Sequence, residues 1–146
     1  MGVALSSCIS PAAGKPTFDL PDDEMELGIG IHGEPGRERK KIAPAREIVE
    51  YLAGAIIGDL PFREGDEVLA FVNGMGGSPI SELYVVYNDL TNFLRAKGIG
   101  VARSLVGTYA TSLEMQGCSI SLLRMDERMK ELWDSPVQTA SLRWGR

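Results

Sequence analysis

The chain has 146 residues, with 15 Lys and Arg against 20 Asp and Glu, giving a formal net charge of −5. That length suits one domain with a core of useful size, and 44% hydrophobic with 24% charged residues excludes disorder, collagen and a coiled coil. The acidic balance argues against a nucleic-acid partner, and no apolar run approaches the roughly 18 residues of a membrane span.

The single histidine excludes a zinc site built on several of them, and Cys8 and Cys118 cannot complete a four-ligand set, so no metal is expected. Two cysteines so far apart make no disulfide framework, which makes the cytoplasm the expected compartment. Residues 1–6 fit a short myristoylation pattern and residues 5–8 a lipoprotein box. Neither has the basic or apolar flank that would support it.

Residues 1–24 read as a strand over Gly2–Ile9 followed by an irregular connection carrying Pro11, Gly14, Pro16 and Pro21. Met25–His32 alternates Leu27, Ile29 and Ile31 with other residues, as a strand does, and leads into a charged loop over Gly33–Lys41. Ala45–Leu60 carries Ile48, Val49, Leu52, Ile56 and Ile57 at helical spacing behind Pro44. Val68–Val72 is a short buried strand, and Asn73–Pro79 is a Gly-rich loop with Ser78 as the expected N-cap of a helix over Pro79–Lys97. Gly98 closes that helix. Val101–Thr108 and Cys118–Met125 read as two strands of an antiparallel hairpin, and Asp126–Trp133 as a short helix capped by Asp126. The order predicts an α/β sandwich of helices around a small mixed β-sheet, with residues 1–146 forming a single domain.

Three features carry chemistry. Gly28–Gly33 is formally G-x-G-x-x-G, but the next helix is delayed to about Ala45, so the dinucleotide context fails. Gly74, Gly76 and Gly77 either cradle an anion or make a tight strand-to-helix turn; the P-loop Lys-Ser/Thr is absent. His32 ends the predicted second strand with Gly30 and Gly33 beside it, so a ligand has room to approach the imidazole. A neutral ring nitrogen serves as base or nucleophile, and Glu34 and Glu26 are near enough in sequence to orient it. On these residues alone His32 is functional, structural or merely exposed. Tyr84 and Tyr87 follow the helix stripe and are expected in the core, as are both cysteines.

Gly28-Ile-Gly-Ile-His-Gly-Glu-Pro-Gly36 resembles the signature of the dihydroxyacetone kinase substrate-binding subunit, in its C-terminal domain. The likeness continues in order through Pro11–Phe18, Val72–Tyr84, Arg103–Tyr109, Thr111–Gly117 and Trp133–Val137. The resemblance implies that His32 binds dihydroxyacetone covalently as a hemiaminal, with Gly30 and Gly33 completing the substrate site. It implies no cofactor on this chain; ADP, or ATP with magnesium, would sit on a helical nucleotide-binding partner subunit or domain. It also implies a homodimer of the full subunit, and an N-terminal domain that this chain does not contain, without which the domain would be inactive or nearly so. A non-catalytic paralogue that binds the same ligand as a sensor or regulatory module would share these residues.

Overall fold

The computed structural model describes residues 1–32 and 34–145. The elements in order are β1 (Gly2–Ala4), β2 (Ile9–Ser10), β3 (Lys15–Pro16), β4 (Glu24–Leu27), β5 (Glu38–Lys41), α1 (Ala45–Asp59), β6 (Glu67–Gly74), α2 (Ile80–Ala96), β7 (Gly100–Gly107), β8 (Gly117–Arg124), α3 (Glu127–Asp134), β9 (Val137–Gln138) and β10 (Arg143–Trp144). Six strands form one mixed sheet in the order β5-β4-β1-β8-β6-β7, in which only β6 and β7 are parallel.

The 3.6-residue periodicity of α1 and α2 explains one layer of the core. Ile48, Val49, Leu52 and Ala53 of α1 and Leu83, Leu90 and Leu94 of α2 are buried together against Val3, Leu27, Val68, Ala70, Val72 and Ile120 of the sheet. A fully buried leucine of this kind contributes about 1.5–3 kcal/mol. At the end of α2, Gly98 adopts φ +72° while its N–H reaches Arg95 O and that of Ile99 reaches Leu94 O. That pair of bonds satisfies carbonyls the helix would otherwise leave open. The opposite sheet face carries Arg103, in register with Leu69, and α3 reaches it through the Arg103–Asp134 ion pair. Asp126 caps α3, accepting from the Met129 N–H at 2.7 Å.

Several expectations are corrected. The strands Val101–Thr108 and Cys118–Met125 are not a hairpin: β6 lies between them, parallel to β7 and antiparallel to β8. Almost every residue of β6 is buried, so it takes a neighbour on each side, while β7 becomes the edge. The predicted strand Met25–His32 stops at Leu27, because Gly28 has φ +83°, a conformation outside the extended region. The first strand stops at Ala4, and residues 9–16 turn back as the β2–β3 ribbon. The charged loop contains β5, an edge strand of four exposed charged side chains, a composition that discourages further pairing. Ser78 does not cap α2; Pro79 holds that position, and the Ser78 hydroxyl accepts the Gly117 N–H at 2.8 Å instead. Tyr84 is 56% exposed, outside the core that its spacing suggested.

Candidate active site around His32

Beyond β4 the chain leaves the sheet and folds a short loop before rejoining it as β5. The Gly28 N–H is held by Gly2 O at 2.7 Å and the Arg37 N–H by Leu27 O at 2.7 Å, so the loop is pinned at both ends. Within it the Gly30 N–H donates to Glu34 O at 3.1 Å. His32 therefore sits on a tight turn rather than at a strand end. Its side chain is 80% exposed, and it faces an open cleft of about 620 Å³.

The cleft floor comes from distant segments. Cys8, buried, lies with its Sγ 3.5 Å from Thr17 Oγ1 and 3.6 Å from Ser112 Oγ. Beneath it Ala4, Ile29, Met75 and Met115 form a second apolar cluster, against which Phe18 and Ile31 pack. One wall is Arg39, whose Nε donates to Glu26 Oε2 at 2.9 Å and whose terminal nitrogen donates to Asp19 O at 2.9 Å. Glu26 is thereby committed to Arg39, and Glu34 is the carboxylate beside the histidine. Its Oε2 accepts the His32 backbone N–H at 3.0 Å, and its Oε1 lies 3.6 Å from Nδ1. Donation from its own backbone N–H, then from that of His32, holds the Glu34 carboxyl below the ordinary carboxylate value.

Gly30 does not clear space for a ligand in the way its position in the motif suggested. A Cβ built there would meet Glu34 Cδ at 2.7 Å and Glu34 Cβ at 2.9 Å. The space belongs to the carboxylate that reaches back to His32. Gly33 lies outside the described residues. The glycines of the loop after β6 have a structural use: the Met75 and Gly77 N–H groups donate to Gly117 O and Met115 O, leaving neither for an anion. No helix follows Gly28–Gly33 directly; the chain enters β5, so the dinucleotide geometry is not formed.

Asn73 was not singled out by the sequence beyond its place in the Gly-rich loop. It is the buried polar residue among the described ones, 1% exposed. Its Oδ1 accepts the N–H groups of Tyr109 and Ala110 at 3.0 and 2.9 Å, and its Nδ2 donates to Ala110 O at 2.8 Å. It thus fixes the start of the segment that brings Ser112, Leu113 and Met115 to the cleft. Cys118 lies elsewhere, in the main core, where burial pushes its thiol up to about 11. Among the described residues no group of three or more His, Cys, Asp and Glu converges to hold a metal, and no helix is long and apolar enough to cross a membrane.

Comparison with known proteins identifies the lineage. Residues 1–141 match the model of the Dak1 domain. The chain is 40% identical to the dihydroxyacetone-binding subunit DhaK of the PEP-dependent dihydroxyacetone kinase of Escherichia coli (strain K12), covering 100% of this chain and 48% of that subunit. Among solved structures it resembles the dihydroxyacetone kinase operon co-activator Dha-DhaQ with a TM-score of 0.85 at 30% identity, covering 92% of this chain and 42% of that one. It also resembles the dihydroxyacetone kinase of C. freundii in complex with AMP-PNP and Mg2+, with a TM-score of 0.74 at 28% identity, covering 97% of this chain and 26% of that one. The chain spans less than half the length of each of these relatives. It belongs to the Dak1 domain family.

Proposed function

We propose that this chain is the substrate-capturing C-terminal domain of a dihydroxyacetone kinase subunit, and that His32 holds dihydroxyacetone as a covalent hemiaminal. The observation that carries the reading is the placement of the chain's sole histidine, exposed on a pinned turn above a cleft whose floor bears a thiol and two hydroxyls. In the capture step a ring nitrogen lone pair attacks the ketone carbon. A C–N bond forms, the C=O π bond breaks, and the ring's other nitrogen gives up its proton as the carbinol oxygen gains one. No atom leaves, so the adduct has the summed mass of protein and ligand. Glycerol has no carbonyl and cannot form it. Capture fixes a terminal hydroxyl for transfer of a phosphoryl group, which is catalysis by positioning.

A cleft of about 620 Å³ is far larger than a three-carbon ligand needs. That fits a site completed by the part of the relatives' length that this chain does not match, supplying the remaining polar groups, with Gly30 lining the side nearest His32. The phosphoryl group comes from a nucleotide on a helical partner subunit or domain in the cytoplasm, either ADP recharged by a phosphotransferase-system protein or ATP with magnesium, and the full subunit is a homodimer. Taken alone the domain binds or turns over little. A second reading is a ligand-sensing regulator, which the similarity to an operon co-activator favours; capture on His32 is common to both, and phosphorylation of the ligand separates them.

The test joins this chain to the remaining half of the Escherichia coli relative and measures intact mass in the cold with saturating dihydroxyacetone. The expected result is a gain of the whole ligand mass, lost with glycerol and in His32→Ala. An unmodified protein, or an adduct that persists in His32→Ala, overturns the assignment.

A further inference from the structure

We infer that Glu34 is a positioning residue that fixes the tautomer of His32, placing the proton on Nδ1 and leaving Nε2 as the attacking nitrogen. The inference deepens the reading of His32 as the nucleophile and rests on it for its consequence, though not for its test.

The geometry begins with the turn. The Gly30 N–H to Glu34 O bond closes a loop in which the Glu34 side chain folds inward over Gly30. One carboxylate oxygen is anchored by the His32 backbone N–H at 3.0 Å. With that oxygen held, the other is directed at Nδ1, 3.6 Å away. At this length the second contact is an electrostatic one rather than a formed hydrogen bond, and catalytic contacts of this kind commonly tighten as the reacting complex forms. A carboxylate is an acceptor only, so it favours a proton on the nitrogen it faces. Neutral histidine free in water prefers the proton on Nε2, which would block attack from that atom. Glu34 reverses this preference. As the C–N bond forms at Nε2, positive charge develops on the ring, and the same carboxylate stabilises it until the Nδ1 proton passes to the carbinol oxygen. This is the division of labour by which a carboxylate orients a histidine in other active sites. Gly30 is required for the same reason: any side chain there would displace Glu34.

The substitution Glu34→Gln separates orientation from mere packing. The amide oxygen still accepts the His32 N–H, but the NH2 group then faces Nδ1 and donates to it. The loop is kept and the tautomer inverted. Because His32 is the only histidine, nitrogen NMR of the chain labelled at histidine reads it without ambiguity. In mildly alkaline buffer without ligand, the expected result is a majority of the Nδ1–H form in the native chain and of the Nε2–H form in Glu34→Gln. In the joined protein, adduct formation should slow roughly 10-fold in Glu34→Gln. A native chain in the Nε2–H form overturns the inference, as does a Glu34→Gln variant with the native tautomer. If Glu34→Gln does not fold, the native measurement decides alone. Failure of adduct formation in the native protein would instead overturn the capture reading and leave the tautomer assignment standing.

Discussion

Two glycine-rich segments, residues 28–36 and 74–77, look alike in sequence and face different surroundings. In the first, the space above each described glycine is filled by a side chain: Arg37 over Gly28, Glu34 over Gly30 and Glu26 over Gly36. In the second, the space above Gly76 and Gly77 is filled mainly by the backbone of Leu113 and Glu114. Side-chain ends can move and backbone carbonyls cannot. The first segment is therefore a surface loop whose glycines let charged groups gather around His32. The second is a rigid seam that sets where the cleft floor lies.

Breaking the seam should have the largest effect. Gly76 has φ +129°, and a Cβ there would be driven into the Leu113 carbonyl, 2.9 Å from its carbon. Leu113 is itself at φ +54° and has little freedom to yield. Gly76→Ala should cost about 4 kcal/mol of stability, read by urea denaturation. A loss below about 1 kcal/mol would show that the seam relaxes. Asn73→Ala should come next, at about 2–4 kcal/mol, because two backbone N–H groups and one carbonyl lose the buried side chain that pairs them.

The first segment should behave otherwise. Gly30→Ala should change stability by about 1 kcal/mol or less, since Glu34 can swing outward into solvent. It should nonetheless release the His32 amide, seen as a shift of that resonance and faster hydrogen exchange. A stability loss as large as that of Gly76→Ala would erase the distinction between the two segments. The smallest effect is a titration. The Glu34 carboxyl is held below its ordinary value of 4.5, so its contacts with His32 are complete above that pH and vanish as the pH falls through the folded midpoint. The His32 amide shift should follow that midpoint, and a midpoint at or above 4.5 would contradict the carboxylate's anchoring.

Much of this was legible in the sequence. The stripes of α1 and α2 fixed both long helices to within a residue or two, and Asp126 marked the start of α3. What periodicity could not show was the order of strands: nothing in Val101–Thr108 says that the next strand crosses to the far side of β6. It also missed β5, whose four charged residues carry no apolar alternation, and the end of β4, where Ile29 and Ile31 continue the pattern but serve the apolar layer under the cleft. At the site, His32 was visible through its neighbours and the motif that contains them. Cys8, Thr17 and Ser112 were not, because they converge from segments about a hundred residues apart. Glu34 stood out only as a nearby acid, and its selection over Glu26 needed the Arg39 pairing that removes the rival.

The most direct measurement of the central claim uses dihydroxyacetone labelled with carbon-13 at the ketone and the joined protein labelled with nitrogen-15 at histidine. The ketone carbon should move to the range of a tetrahedral carbon and show one-bond coupling to a ring nitrogen of His32. A ligand that binds while its carbon remains a carbonyl, or becomes tetrahedral without that coupling, would contradict that claim.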